Sequence, residues 1–327
     1  MISVVLPVHN AEATLEECIS SIVKQTYRAF ELIVVNNAST DRSNAVIQSW
    51  INRDKRIRKV DEPRKGLVFA FNRGMAEVKG EWIARMDADD VAHPERFEKQ
   101  INYLLKNSNI DVLGTQIQMF GSKTKTTDFP LTHDGIVIDF CFRNCIAHPT
   151  VLIRRERIKF LGYPQGYDIS DDYVQWVRWS QNYQFANLAE PLLNYRVHSS
   201  QITRSKAEIV KKTEMLVLKE AFSNQEIFLT EMDLRIHQQF CRYLPFHSGI
   251  EILREAHILN KLWKRVVNTG NKEGRNLIYN HWSRLIEGFS EFPFERALSH
   301  LFSSIPDSSF HLFRKSRRTQ LRKITGL

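Results

Sequence analysis

Three carboxylates fall within four residues in Met86-Asp87-Ala88-Asp89-Asp90, at the carboxyl end of Glu81-Trp82-Ile83-Ala84-Arg85-Met86, which reads as a strand. Acids this close repel one another, and their pKa values rise unless a cation offsets the charge. A divalent metal is the simplest such cation. Oxygen ligation suits Mg2+ or Mn2+, ions that complete their shells with water and phosphates. The plainer alternative is an acidic turn ahead of a helix beginning at Pro94. A second acid pair, Asp171-Asp172, opens another helical stretch, where the macrodipole by itself favours carboxylates. Neighbours on a helix point about 100° apart, so Asp171 and Asp172 cannot both serve one reacting atom. His148 and His198 are single histidines, as compatible with satisfied loop residues as with ligands.

Other chemistry is thinly represented. Cys18, Cys141, Cys145 and Cys241 are too scattered for a disulfide framework and read as reduced. Cys141 and Cys145, four apart, would share a helix face as small buried hydrophobes, because no nearby His or Cys pair completes a zinc set. Neither G-x-G-x-x-G after a strand nor G-x-x-x-x-G-K-[ST] occurs, which leaves dinucleotide-dependent dehydrogenases and P-loop enzymes without support.

The acids need a scaffold, and the first ninety residues supply an alternating one. Residues 2–8, 31–35, 58–60 and 81–86 read as strands, with helical spacing over 11–25, 41–50 and 67–78 between them. Ser39 or Thr40 would cap the second helix. Such βαβαβαβ order makes a parallel sheet with its ligand at the carboxyl ends of the strands. A helix over 94–106, an extended segment over 111–120 and a strand over 191–197 follow. From residue 205 onward the pattern is helical, broken near Pro245, Gly270 and Pro293.

The 327 residues would make one large or two ordinary domains, and 43% hydrophobic with 25% charged residues is the balance of a folded protein. No apolar run approaches the ~20 residues of a membrane-spanning helix, and the start shows no basic secretory leader. A cytoplasmic chain without a transmembrane anchor is expected. Residues 1–200 carry 25 Lys+Arg against 24 Asp+Glu, and 201–327 carry 21 against 13, so the net charge of +9 sits almost wholly in the C-terminal part. Nucleic acid, an anionic membrane or an acidic substrate would each explain it, and charge alone does not choose.

Five motifs in order carry a resemblance. Pro7-Val8-His9-Asn10, then 20–27 (SSIVKQTY), then 31–41 (ELIVVNNASTD), then Gly66, Ala70, Asn72 and Gly74, then Asp87-Ala88-Asp89-Asp90 resemble the family 2 inverting glycosyltransferases of GT-A fold, the last being their D-x-D motif. The likeness continues at lower density through 146–150, 154–156, 170–173 and 195–198, and covers residues 1 to about 200. It implies an α/β fold, a nucleotide-binding, Rossmann-like mixed sheet flanked by helices over 1–200, with 1–90 as the nucleotide half and 91–200 as the acceptor half. A helical, basic region would follow over 201–327.

The resemblance also implies an activity. A sugar would move from a nucleotide-sugar, by family habit a UDP-sugar, to a hydroxyl of a glycan or lipid-linked glycan in cell-surface polysaccharide synthesis. Inverting transfer is one in-line displacement, with the metal on the leaving-group side and the base on the acceptor side. By motif position Pro7, Val8, His9, Asn37 and Asn72 would contact the donor, and Asp87 its ribose. Asp89 and His198 would hold Mg2+ or Mn2+. Asp172 would be the general base, with Asp171 orienting the acceptor or capping the helix.

Two departures stand out. The family's paired aspartates after the second strand are Asn36 and Asn37 here, and its Glu-Asp is Asp171-Asp172. A carboxylate at 37 would accept the uracil N3 hydrogen more strongly than an amide, which leaves the base open. Gln175-Trp176-Val177-Arg178-Trp179 spells the Q-x-x-R-W of processive synthases, but it overlaps the acidic helix and reads as coincidence, with Trp176 and Trp179 in the core. The rivals are a decayed glycan- or nucleotide-binding protein on the same fold, against which the retained acids argue, and a sugar-phosphate nucleotidyltransferase, whose glycine-rich first loop is missing. Finally, Arg314, Lys315, Arg317, Arg318, Arg322 and Lys323, beside Phe310, Phe313, Leu321 and Ile324, suggest an interfacial helix over 310–324. It would hold the enzyme peripherally at the inner face of the cytoplasmic membrane, with no role for nucleic acid.

Overall fold

The computed structural model describes residues 1–158, 162–163, 171–198 and 207–288. The basic stretch at 310–324 lies outside the described residues. The chain forms two compact units, Met1–Phe140 with Asn144–Val217 and Cys141–Arg143 with Leu218–Leu327.

The first unit is built on one nine-stranded sheet. Its elements run β1 (Ile2–Val8), α1 (Leu15–Val23), β2 (Phe30–Asn36), α2 (Ser43–Arg53), β3 (Ile57–Asp61), α3 (Leu67–Met75), β4 (Trp82–Arg85), β5 (Val91–Ala92), α4 (Arg96–Lys106), β6 (Val112–Gly121), β7 (Lys125–Thr126), α5 (His133–Asp139), β8 (Leu152–Arg154), α6 (Asp171–Trp179) and β9 (Phe185–Val197). The strand order is β3-β2-β1-β4-β8-β6-β9-β5, with β7 on β6. The four strands β3, β2, β1 and β4 are parallel. Strand β8 is antiparallel to both β4 and β6, whereas β6 and β9 are parallel with two register shifts near Gln116.

The expected mixed α/β sheet with flanking helices is therefore present. Chain order reverses at β1, whose neighbours are β2 on one side and β4 on the other. Their carboxyl ends form the crevice in which sheets of this kind bind ligands. Strand β1 is buried throughout, as a central parallel strand covered on both faces must be. Its outward Ile2, Val4, Leu6 and Val8 pack with Leu15, Cys18, Ile19 and Ile22 of α1.

Two local expectations are corrected. Helix α2 begins at Ser43 with no side-chain cap, because Ser39 and Thr40 are engaged with the loop after β1. There the Ser39 hydroxyl accepts the Asn10 N–H at 3.2 Å, and the Thr40 N–H donates to Asn10 Oδ1 at 2.8 Å. Cys141 and Cys145 share no helix face, since α5 ends at Asp139. Both are nonetheless buried, and Trp176 and Trp179 are core residues as read.

Among the described residues the C-terminal part is helical, with α7 (Ala207–Asn224), α8 (Glu231–Cys241), α9 (Gly249–Asn268) and α10 (Lys272–Gly288) in chain order. Thr230 and Asp233 close a capping box on α8. Ile252, Leu259, Leu262, Val266 and Ile278 are fully buried in it. His237 is buried too. Its Nδ1 donates to Glu255 Oε1 at 2.9 Å and its Nε2 to the Cys141 carbonyl at 2.6 Å. Burial opposes a charge on this ring, but the Cys241 thiol and the Glu255 carboxylate beside it outweigh that and hold its pKa well above the usual histidine value. No helix among the described residues is long and apolar enough to cross a membrane.

Helix α3 packs tightly on the sheet at Gly74, where a Cβ would stand 2.5 Å from Val5 Cγ1 and 3.0 Å from Val35 Cγ2. Gly74→Ala should therefore cost about 1–3 kcal/mol through overpacking, measured as a lower urea midpoint at unchanged m-value.

Candidate active site

Four groups fix the acidic loop after β4. The Thr14 hydroxyl donates to the Ala88 carbonyl at 2.9 Å and the Cys18 thiol to the Asp87 carbonyl at 3.2 Å, both from the α1 side. From β9, Arg196 Nε donates to the Asp89 carbonyl and the Arg196 main-chain N–H to Asp90 Oδ1, each at 2.9 Å. The Met86 N–H donates to the Val5 carbonyl at 3.2 Å and holds the loop's root to β1. So fixed, Asp87, Asp89 and Asp90 each place a carboxylate oxygen within 4.8 Å of the others. His198 Nε2 lies 3.1 Å from Asp89 Oδ2. The two residues assigned from the sequence to the metal thus meet.

The loop gathers negative charge in a buried place. Asp90 is buried, and its Oδ2 has no hydrogen-bond partner. Burial first, then Asp87 and Asp89, push its pKa well above the usual carboxylate value. Asp87 is raised by burial and by Asp89 despite its ion pair with Arg85. Hard oxygen donors, one of them orphaned, with an imidazole at the rim fit Mg2+ or Mn2+.

Arg85 is the neighbouring counter-charge. Only 5% exposed, it ends β4 with its guanidinium carbon 4.6 Å from the centre of the Phe71 ring. Its charge reaches Asp171 and Asp172 as well as Asp87 and Asp90. Behind it the fully buried Arg96 donates to the Arg85 carbonyl at 3.1 Å.

The second acid pair heads α6. Asp171 is 3% exposed with an unpartnered Oδ2, whereas Asp172 keeps part of its surface open. Asp172 Oδ2 accepts from Asn144 Nδ2 at 2.9 Å, and Oδ1 accepts the Tyr173 N–H at 2.7 Å. Burial, opposed by Arg85, pushes Asp171 up to about 6. Burial and then Asp171 push Asp172 up to about 7. The two titrate as a pair. Beside them, burial keeps His148 well below its usual pKa, so it is neutral, and its Nε2 shares a 2.7 Å hydrogen bond with the Tyr163 hydroxyl.

The residues expected to contact the donor are committed to the scaffold to differing degrees. Pro7 and Val8 are buried in β1, and the Val8 carbonyl accepts the Asn37 N–H at 2.7 Å. His9 is exposed, with Nδ1 donating to the Asn37 carbonyl at 2.7 Å. Asn72 clasps the Tyr163 main chain, accepting its N–H at 2.7 Å and donating to its carbonyl at 3.2 Å. Asn37 is the most engaged. Its Nδ2 donates to the Glu62 and Arg64 carbonyls at 3.0 and 2.6 Å, and its Oδ1 accepts the Gly66 N–H at 3.0 Å.

Sequence reasoning passed over Arg85 and Asn144, and gave no separate role to Asp90 or Arg196 within the motifs that hold them. A charged residue ending an apolar strand was a usable signal for Arg85, and Asp90 stood inside the acidic motif. Nothing local marked Asn144, which meets Asp172 across 28 residues.

A family model described as glycosyl transferase family 2 matches residues 3–156. Over 213 residues the chain is 36% identical to the O-antigen biosynthesis glycosyltransferase WbnJ of Escherichia coli, covering 63% of this chain and 83% of that one. The chain belongs to glycosyl transferase family 2. As a member it is a glycosyltransferase. Its fold is shared by S. aureus TarS 1-349, solved in complex with UDP, at a TM-score of 0.57, 16% identity and 88% of each chain. It is shared also by the mannosyltransferase PcManGT of Pyrobaculum calidifontis, solved with GDP-Man and Mn2+, at 0.50 and 15%, covering 90% of this chain and 87% of that one.

The family's usual aspartate at position 37 is not interchangeable with this chain's asparagine. Asn37→Asp would set a carboxylate against two carbonyl oxygens that now receive amide hydrogens. Each unmade bond costs about 1–3 kcal/mol, so stability should fall by at least about 2 kcal/mol, read as a lower urea midpoint. This outweighs the stronger acceptor that an aspartate would offer a uracil.

Proposed function

We propose that this glycosyltransferase is metal-dependent and inverting, moving a sugar from a UDP-sugar to a hydroxyl of a glycan or lipid-linked glycan. One observation carries the reading. The chain holds two distinct acid groups, one a cluster short of positive charge and the other a pair with values near neutrality. A single displacement at the sugar C1 needs both, because the departing diphosphate and the attacking hydroxyl lie on opposite sides of the carbon.

In this reading Asp89 and His198 hold Mg2+ or Mn2+, with Asp90 as a further oxygen donor and Asp87 toward the ribose. The cation, when bound, neutralises charge developing on the leaving diphosphate. Asp172 accepts the proton of the acceptor hydroxyl, and its raised pKa makes it a stronger base than an exposed carboxylate while leaving a usable ionised fraction near neutrality. Asp171 orients the acceptor or caps α6. His9 borders the donor, and Pro7, Val8 and Asn72 shape its pocket through the backbone they hold. Asn37 Oδ1 keeps one lone pair for the uracil N3 hydrogen. Residues 1–90 serve the donor and 91–200 the acceptor, and the basic stretch 310–324 meets an anionic membrane surface. UDP in TarS, Mn2+ in PcManGT and O-antigen synthesis by WbnJ support a nucleotide-sugar donor, a divalent metal and a cell-surface glycan product.

Nucleotide release from a panel of UDP-, GDP- and dTDP-sugars should require Mg2+ or Mn2+ and favour UDP. Excess EDTA and Asp89→Ala should each abolish it while circular dichroism is unchanged. Full activity in EDTA would refute the metal.

The pH profile tests the base. Asp172 must be ionised to act, so kcat/KM should fall as pH drops through about 7 and plateau above. Asp172→Asn should lower turnover by ~10²–10⁴-fold on the plateau above about pH 7, lose the acid limb, and leave nucleotide affinity unchanged by calorimetry.

A further inference from the structure

Asp172 is not free to rotate, and the group that orients it comes from the loop between α5 and β8. Asn144 Nδ2 donates to Asp172 Oδ2 at 2.9 Å, while Asn144 Oδ1 accepts the Ile146 N–H at 3.2 Å. The second bond decides which end of the amide faces the acid, since an oxygen turned toward Asp172 would leave the Ile146 N–H facing an amino group. The loop itself is anchored from β9. Asn187 is buried, and its Nδ2 donates to the Cys145 carbonyl at 3.1 Å and to the Pro130 carbonyl at 2.8 Å. Asn187 fits there because position 114 is glycine. A Cβ on Gly114 would stand 2.2 Å from Asn187 Oδ1.

We infer that Asn144 is a positioning residue for the transfer reaction, fixing the Asp172 carboxylate in its ionised, acceptor-facing orientation. The inference rests on the reading of Asp172 as the base. A neutral donor on one carboxylate oxygen favours the anion without adding charge, and the Tyr173 N–H holds the other oxygen. Among the described residues, the other groups that bear on Asp172 are Asp171 on the same helix, which opposes its ionisation, Arg85 from β4, which favours it, and Tyr163, whose phenol is kept protonated by burial. Asn144 is the uncharged side chain that donates a hydrogen bond to Asp172. It can therefore tune the base without disturbing the charge seen by the acidic loop after β4.

The test compares wild type, Asn144→Ala and Asn144→Asp for Mn2+-dependent nucleotide release from whichever UDP-sugar the panel selects, with Asp172→Asn alongside. Asn144→Asp keeps the acceptor for the Ile146 N–H and replaces the donor by an anion. In Asn144→Ala the acid limb of kcat/KM should move about one unit to higher pH, roughly ten-fold less activity below the limb and recovery above it. The shift should be larger in Asn144→Asp, with donor KM little changed in both. A direct readout is the carbon-13 carboxyl titration of aspartate-labelled protein. The resonance absent from Asp172→Asn should titrate at higher pH in Asn144→Ala. Unmoved profiles and an unmoved resonance in folded variants, with Asp172→Asn inactive, would overturn the role of Asn144 and spare the base. Failure of both variants to fold would overturn it too, by making Asn144 structural. Full activity of Asp172→Asn would overturn the base and this inference together.

Discussion

Too many acids share too little positive charge at the carboxyl end of β4, and the first unit is arranged around that imbalance. Arg85 acts on Asp87, Asp90, Asp171 and Asp172. Its single guanidinium, joined by Arg96 at Asp90, cannot neutralise four carboxyls, so the acids divide. The loop group is pushed up by burial and mutual repulsion, and the helix pair keeps values near neutrality, the two conditions that the proposed cation site and the proposed base require. Burial produces both outcomes, and it is made possible by a chain that fixes the acids from behind. Thr14, Cys18, Arg196 and Arg96 all spend hydrogen bonds on backbone in or beside the loop. Preorganised charge of this kind needs no rearrangement when substrate arrives.

Much of this was legible in the sequence, for physical reasons that differ along the chain. Strands β1 to β4 announce themselves because central parallel strands are continuous apolar runs, and the helices between them keep a clear period. The later sheet is harder. Strand β8 is three residues long, and β9 extends to Phe185, well before the strand-like residues 191–197. Pairing partners, not local pattern, make these segments strands. Among the site residues, those within a contiguous motif could be read. Asn144 and Asn187 could not, because each acts on a residue remote in sequence and neither belongs to a pattern. Asn37 is the instructive middle case. Its position was legible, but the three hydrogen bonds that bind it to the loop before α3 were not, and they change what an aspartate there would do.

The helical part had no motif to read at all. Its most telling feature is a charged contact in a buried place. His237 and Glu255 are both fully buried, and a charged imidazole there is sustained by the carboxylate and by a carbonyl that accepts its second hydrogen. Such a pair stabilises little relative to an apolar one, yet losing either member leaves a stranded charge. It specifies which backbone carbonyl the helices accept, and that carbonyl belongs to Cys141.

That choice makes the boundary between the units something other than a point. The polypeptide leaves the first unit after Phe140, spends three residues in the second, and returns at Asn144 before departing again at Leu218. Phe142 is buried there, stacked on His281 at 3.7 Å between ring centres. During synthesis this triplet emerges long before the helices that will cover it, so the second unit is begun early and completed late. For recombination the consequence is equally direct. No single crossover exchanges the helical part cleanly, because a transplanted set of helices must also accept Cys141 and Phe142 from the host.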